Sequence, residues 1–192
     1  MFAENIKSEE INMLERRTFA GEIIVVDTPK TLAETVTFLQ KQSFIGFDTE
    51  GRPRFVKGSK RQIALLQFAT DHKAFLIRID ILGLDKSIIN IFENPEIIKI
   101  GLGLTDDIQT LRRIKCFEPA GFIDLQDYST QFGIIDNSLR KITAITLGFR
   151  ISKSQRLSNW ENPEYTPAQK RYAATDAWVC LKIYQKLNQS NK

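Results

Sequence analysis

The short apolar run Phe44-Ile45-Gly46-Phe47 is the tightest constraint on what this chain can become, because it reads as a fully buried central strand. A strand apolar on both faces needs covering layers on both. Further strands are predicted at Glu22–Asp27, Gln62–Ala69, Lys73–Arg78, Ile97–Ile100 and Phe122–Ile123, with Thr70-Asp71-His72 suited to a tight hairpin. Between them, helical periodicity is predicted over Ser8–Arg17 with Ser8 as cap, then Thr31–Lys41, Asp85–Glu93, Asp106–Ile114, Leu125–Phe132 and Ser138–Leu147. Thr166-Pro167-Ala168-Gln169 is a capping box with proline in the first turn, so a last helix starts there and runs to about Leu187. Strands and helices alternate, which means α/β: one domain with a mixed β-sheet flanked by helices. Residues 1–20 form an N-terminal helical extension in this reading, and 21–190 the main domain.

Composition narrows the chemistry. The 192 residues are 42% hydrophobic and 26% charged, an ordinary globular balance. No apolar run approaches a membrane span, and Met1–Phe19, carrying Glu4, Glu9, Glu10 and Glu15, lacks the stretch of a secretory signal. A soluble, cytoplasmic protein with no membrane partner is expected. Cys116 and Cys180 lie far apart in apolar surroundings and read as two reduced, packed thiols. His72 is the single histidine, which excludes a histidine metal cluster, a Ser-His triad and a Cys-His pair. The net charge of +4 leans toward a polyanionic partner, and the stretch Arg52–Arg61 holds five basic residues and no acidic one. Because that stretch follows an acidic strand end, phosphate contacts are expected there.

The carboxylates carry the chemistry. Asp48 and Glu50 are two apart on a strand and share a face. Alone, the pair fits a solvated strand end equally well. Asp176 is harder to explain away: Tyr172, Asp176, Val179, Ile183 and Leu187 fall on one helical stripe that is otherwise apolar. A carboxylate there needs a partner, and Tyr172 stands one turn earlier. A core tyrosine bonding a structural aspartate is the alternative. The segment Ile97–Asp107 invites a dinucleotide-binding reading, which fails because Asp106 occupies the third glycine position. Thr105 reads instead as an N-cap with two aspartates in the first turn, where the helix dipole favours anions. Oxygen-only ligands gathered from these places select Mg²⁺ or Mn²⁺, and two such ions about 4 Å apart can serve an in-line displacement at phosphorus.

These residues resemble the DEDD, or DnaQ-like, superfamily of 3′-5′ exonucleases, which has a ribonuclease-H-like fold. Phe47-Asp48-Thr49-Glu50 resembles its first motif, Gly101 to Asp107 the second, and Tyr172-Ala173-Ala174-Thr175-Asp176 the third. Ile63 to Gln67 and Lys153 to Trp160 extend the likeness, which covers about Phe44 to Leu187. The chain is most similar to the Werner-syndrome-type exonuclease domain, with ribonuclease D as a cousin. The resemblance implies that Asp48, Glu50 and Asp176 hold the main metal, that Asp48 also touches a second, and that Asp107 helps through water. Asp107 rather than Asp106 is implied by its distance from the glycine pair. One branch of the superfamily uses histidine where another uses tyrosine. Arg171 stands five residues before Asp176, which assigns this chain to the tyrosine branch, with Tyr172 orienting the attacking water. Gly51 departs from the pattern, which has a bulkier residue there. Ribonuclease D carries helical nucleic-acid-binding domains after its exonuclease domain; here such a module is expected to be absent.

The function expected is a metal-dependent 3′-5′ exonuclease that releases nucleoside 5′-monophosphates with two Mg²⁺ or Mn²⁺ ions. Its partner would be a nucleic acid with a single-stranded or recessed 3′ end, DNA favoured over RNA. Arg52, Lys57, Lys60, Arg61, Lys153 and Arg156 are the candidate phosphate contacts. Phe55 or Trp160 is a candidate base-stacking platform, a core role for Trp160 being the alternative. The rival functions are a catalytically weak nucleic-acid-binding module and an endonuclease of the same fold.

Overall fold

A computed structural model describes residues 2–51 and 62–190. The basic run Arg52–Arg61, with the expected contacts Arg52, Lys57, Lys60 and Arg61 and the expected platform Phe55, lies outside the described residues. The elements are α1 (Ser8–Met13), β1 (Glu22–Val26), α2 (Pro29–Leu39), β2 (Phe44–Gly51), β3 (Ile63–Ala69), β4 (Lys73–Arg78), α3 (Ile79–Leu82) and α4 (Lys86–Glu93). They continue as β5 (Ile98–Gly101), α5 (Leu104–Ile114), β6 (Phe122–Asp124), α6 (Leu125–Thr130), α7 (Leu139–Leu147) and α8 (Pro167–Gln189). The sheet runs β1-β4-β3-β2-β5-β6. β2, β3 and β4 are joined antiparallel, while β1 lies parallel to β4, and β5 and β6 continue parallel from β2. The expected mixed sheet is therefore present, with β2 near its middle. No helix among the described residues is long and apolar enough to cross a membrane.

Each face is sealed for a sequence reason. On one side, Phe47 of β2 packs against Phe68, Phe92 and Phe122 at ring-centroid distances of 5.3, 5.7 and 5.8 Å, beneath α2, α4 and α5. On the other, α8 crosses β2 with Ala173, Ala174 and Ala177 turned fully inward. Thr166 accepts the amide hydrogen of Gln169 and Gln169 answers at the cap backbone, the capping box expected from the sequence. The approach is so close that a Cβ on Gly46 would lie 1.8 Å from the Ala177 carbonyl oxygen. Glycine at 46 is therefore what lets α8 sit on β2.

Several local expectations are corrected. α1 stops at Met13, capped by Lys7 rather than Ser8, because the chain beyond it runs extended along residue 150: Arg17 N–H donates to Arg150 O and Arg150 N–H to Glu15 O. Residues 2–20 thus form a strap over α7 and α8, closed by Phe19 N–H donating to Thr175 Oγ1 at 3.0 Å. α5 begins at Leu104, and its N-cap is Gly103, not Thr105. β2 runs to Gly51, beyond the apolar run Phe44–Phe47, and carries Asp48 and Glu50 at its end on one face, as expected. The short α3 had no clear periodic signal. Cys180 is buried, but Cys116 is exposed because it lies just past the end of α5.

Lys99 of β5 is wholly buried, its Nζ donating to Ile91 O and Asn94 O at 3.0 and 2.8 Å and lying 4.9 Å from the Phe122 ring centroid. Burial pulls its pKa down from the ordinary 10.5 to about 8. Between those values the unfolded chain holds a proton that the folded protein has shed, so stability rises with pH across that window and is flat in this group below it. Urea unfolding at pH 7.5 and pH 10 should show a relative gain of roughly 2 kcal/mol over a Lys99→Met variant. An equal pH response in both proteins refutes it.

Candidate metal centre

Along β2, side chains alternate between the two faces. Phe47 and Thr49 face the α5 layer; Asp48 and Glu50 face α8, where Asp176 comes down to meet them. One carboxylate oxygen from each of Asp48, Glu50 and Asp176 lies within 4.8 Å of the others. Three anionic groups at that spacing repel unless a cation joins them. Asp176 is 7% exposed, and its Oδ1 is buried without a hydrogen-bond partner. Desolvation first, and the Asp48 charge second, push its pKa well above the carboxylate range. A buried carboxylate oxygen left bare, in an all-oxygen donor set, is what a hard divalent cation completes, so these residues fit Mg²⁺ or Mn²⁺.

The supports come from both neighbouring layers. Gln67 of β3 lies opposite Asp48 in the register and is fully buried. With its amide oriented to satisfy both ends, its nitrogen donates to Asp48 Oδ2 and its oxygen accepts from Glu50 N–H, each at 3.3 Å. It locks the spacing of the two strand carboxylates, a role not assigned from sequence; an amide inside an otherwise apolar strand was the available signal. On the other face, Thr49 Oγ1 donates to Asp107 Oδ1 at 2.8 Å. Asp107 is 4% exposed and its neighbour Asp106 is open to solvent, so Asp107 is the member of the pair that faces inward. It stands beside the three-carboxylate group through Thr49 and is not part of it. Asp124 is a second support that sequence reasoning missed. Its carboxylate accepts from Gly103, Leu104 and Gln126 N–H at 2.9, 2.7 and 2.9 Å, capping α5 from 20 residues away. Gly103 meets it with a left-handed backbone, φ 69°.

The Tyr172 hydroxyl lies close enough to the Asp176 carboxylate for each to feel the other's charge state. Burial, reinforced by the charges of Asp176, Glu50 and Asp48, raises the phenol pKa, so the hydroxyl stays neutral. Trp160 is 0% exposed and packs at 6.1 Å from the Tyr172 ring and 5.5 Å from Tyr165. It is a core residue behind the tyrosine, and the expected base-stacking role is ruled out by its burial. Lys153 and Arg156 are exposed in the turn before it. Gly51, the departure from the motif, has its cause in packing: the β2–β3 register shifts at Glu50/Gly51, and a Cβ there would meet Gln62 O at 2.0 Å.

Comparison with known proteins agrees with this geometry. The pattern of the 3′-5′ exonuclease family matches residues 23–191. The chain is 32% identical over 163 residues to the bifunctional 3′-5′ exonuclease/ATP-dependent helicase WRN of Mus musculus, covering 81% of this chain but only 12% of that protein. In structure it is similar to the Aedes aegypti Nibbler EXO domain, with a TM-score of 0.80 at 23% identity over 90% of this chain and 91% of that one. Ribonuclease D of Escherichia coli superposes with a TM-score of 0.74 at 22% identity, over 88% of this chain and 46% of that one. At those identities the structural likeness is one of fold, and it is the ribonuclease-H-like fold expected. With the family pattern spanning the sheet, α5 and α8, the chain belongs to the 3′-5′ exonuclease domain family.

Proposed function

We propose that this protein is a metal-dependent 3′-5′ exonuclease that hydrolyses phosphodiester bonds from a nucleic-acid 3′ end, releasing nucleoside 5′-monophosphates. The observation that carries this is the meeting of Asp48, Glu50 and Asp176 with a bare, buried oxygen on Asp176. In this reading those three side chains hold two divalent ions, with Asp107 assisting from beside Thr49. When bound, Mg²⁺ or Mn²⁺ supplies Lewis acidity, neutralising charge at the scissile phosphate and making water acidic enough to attack. Gln67 keeps Asp48 and Glu50 in register for that task. The Tyr172 hydroxyl stands beside Asp176, where its lone pairs can accept a hydrogen from the attacking water and aim that water's own lone pair. Being neutral, it orients the water rather than taking its proton. Residues 21–190 are the proposed catalytic unit, and a single-stranded or recessed 3′ end, DNA favoured over RNA, the proposed substrate.

Tyr172→Phe keeps the ring against Trp160 and removes only the hydroxyl. Turnover should fall roughly 10- to 100-fold, with metal affinity within about twofold of wild type. Titration of the metal dependence of kcat separates the two; a large loss of metal affinity would show that the hydroxyl holds Asp176 in place instead. The function itself is tested on matched end-labelled DNA and RNA strands. One-nucleotide shortening from the 3′ end, silenced by EDTA and restored by Mg²⁺ or Mn²⁺, is the expected result. Internal fragments overturn the exonuclease assignment in favour of an endonuclease.

A further inference from the structure

A cavity of about 110 Å³ lies between the N-terminal strap and α8. Its walls are Arg16 and Thr18 of the strap, Ser152 and Ser154 of the loop leading to Lys153 and Arg156, and Arg171 and Tyr172 of α8. No carboxylate lines it. Among the described residues neither Arg16 nor Arg171 is in an ion pair. Two cationic side chains bordering one small cavity repel unless an anion lies between them, and hydroxyl groups beside guanidinium groups are donors suited to a phosphate. That is several times the space one water needs, so the cavity has room for a tetrahedral oxyanion. The cavity and the metal centre share a wall: Tyr172 lines the one and stands one turn of α8 before Asp176 in the other. Thr175, the next residue on that side of α8, holds the strap in place through Phe19 N–H. Arg16 and Thr18 come before residue 23, where the family match starts.

We propose that this cavity binds a phosphate of the substrate strand other than the one being cleaved, with Arg16 and Arg171 as its counter-charges. The strap is then part of the strand-binding surface. This rests on the exonuclease reading and names a contact within it. The same chemistry would also suit free phosphate, and the experiment has an arm for each source.

The variants are Arg16→Gln, Arg16→Lys and the double variant R16Q/R171Q, all at exposed positions. A labelled single strand is bound in EDTA at several salt concentrations, and the slope of log affinity against log salt is read. Each lost phosphate contact should lower that slope by about 0.7 and weaken the strand about tenfold, with Arg16→Lys keeping most of the slope. Kinetics compare an oligonucleotide with the p-nitrophenyl ester of thymidine 5′-monophosphate, which carries only the scissile phosphate. The expected result is a rise of about tenfold in the oligonucleotide-to-ester ratio of KM for Arg16→Gln. Equal losses on both substrates, or an unchanged salt slope, overturn the proposal and leave the strap a mere brace for α8. Inorganic phosphate that raises the wild-type Tm in EDTA but not that of R16Q/R171Q, together with unchanged strand affinity, assigns the cavity to free phosphate and also overturns it. A wild type that cleaves neither substrate overturns the exonuclease reading alone, since strand affinity and salt slope still decide the cavity.

Discussion

Asp176→Asn is expected to give a protein that is more stable than wild type without metal and devoid of nuclease activity. The Asp176 carboxylate is buried, has one oxygen without a partner, and faces Asp48 and Glu50. Its raised pKa fixes the sign. Below the unfolded value near 4 the group is neutral in both states; as pH rises toward the folded value, the unfolded chain ionises first and folded stability is lost. Asparagine keeps the shape of the side chain and removes the charge. In EDTA at neutral pH the variant should gain about 1–3 kcal/mol in urea unfolding, and the gap should close as pH falls toward 4. Mg²⁺ should raise the Tm of wild type and do far less for the variant, since ligands stabilise only what binds them. Activity should drop by on the order of 10³-fold or more. A variant less stable than wild type in EDTA would show that Asp176 is a structural partner of Tyr172 and not a ligand held in readiness.

That result would also explain why Asp176 is the site residue most legible in the sequence. Its signal is local, a charge at the second position of an otherwise apolar stripe, and local periodicity survives folding well. The β-strands and the long helix were legible for the same reason, as was the Thr166 capping box. What failed depended on distant partners. Thr105 has the chemistry of an N-cap, but Asp124 caps α5 from across the β5–β6 edge, which moves the helix start back to Leu104. The helical period after Ser8 is overridden because Glu15 and Arg17 find backbone partners at Arg150. Trp160 could be core or surface on sequence grounds, since an aromatic serves either end; only its place behind Tyr172 and Tyr165 decides. Gly51 looked like a defect in a motif until Gln62 O proved to stand where its Cβ would go. Gln67 gave too faint a signal, because one amide in a strand has many uses and its role exists only once Asp48 lies opposite.

Gly46→Ala should be the most damaging glycine-to-alanine change among the described residues. The added Cβ would sit 1.8 Å from Ala177 O, 2.8 Å from Ala177 C and 3.3 Å from Leu181 Cβ. Two of these are main-chain atoms in the middle of α8, so no rotamer change relieves the clash, and either β2 or the whole helix must move. β2 is held by β3 on one side and β5 on the other, which leaves α8 to give way. Asp176 rides on that helix one residue before the point of contact, so displacing α8 pulls it from Asp48 and Glu50. Two losses should therefore appear together: about 3 kcal/mol or more of stability in urea unfolding, and a weakening of divalent-ion binding of at least tenfold. Gly148→Ala is the comparison that isolates packing, since nothing lies within 4 Å of a Cβ there and only its left-handed backbone (φ 71°, ψ 21°) is strained. It should cost about 1 kcal/mol and leave metal binding unaltered. Should Gly46→Ala lose less than about 1 kcal/mol, or lose stability while binding Mg²⁺ as wild type does, then α8 has slack over β2 and the carboxylate spacing is set elsewhere, with Gln67 and Thr49 the next residues to test.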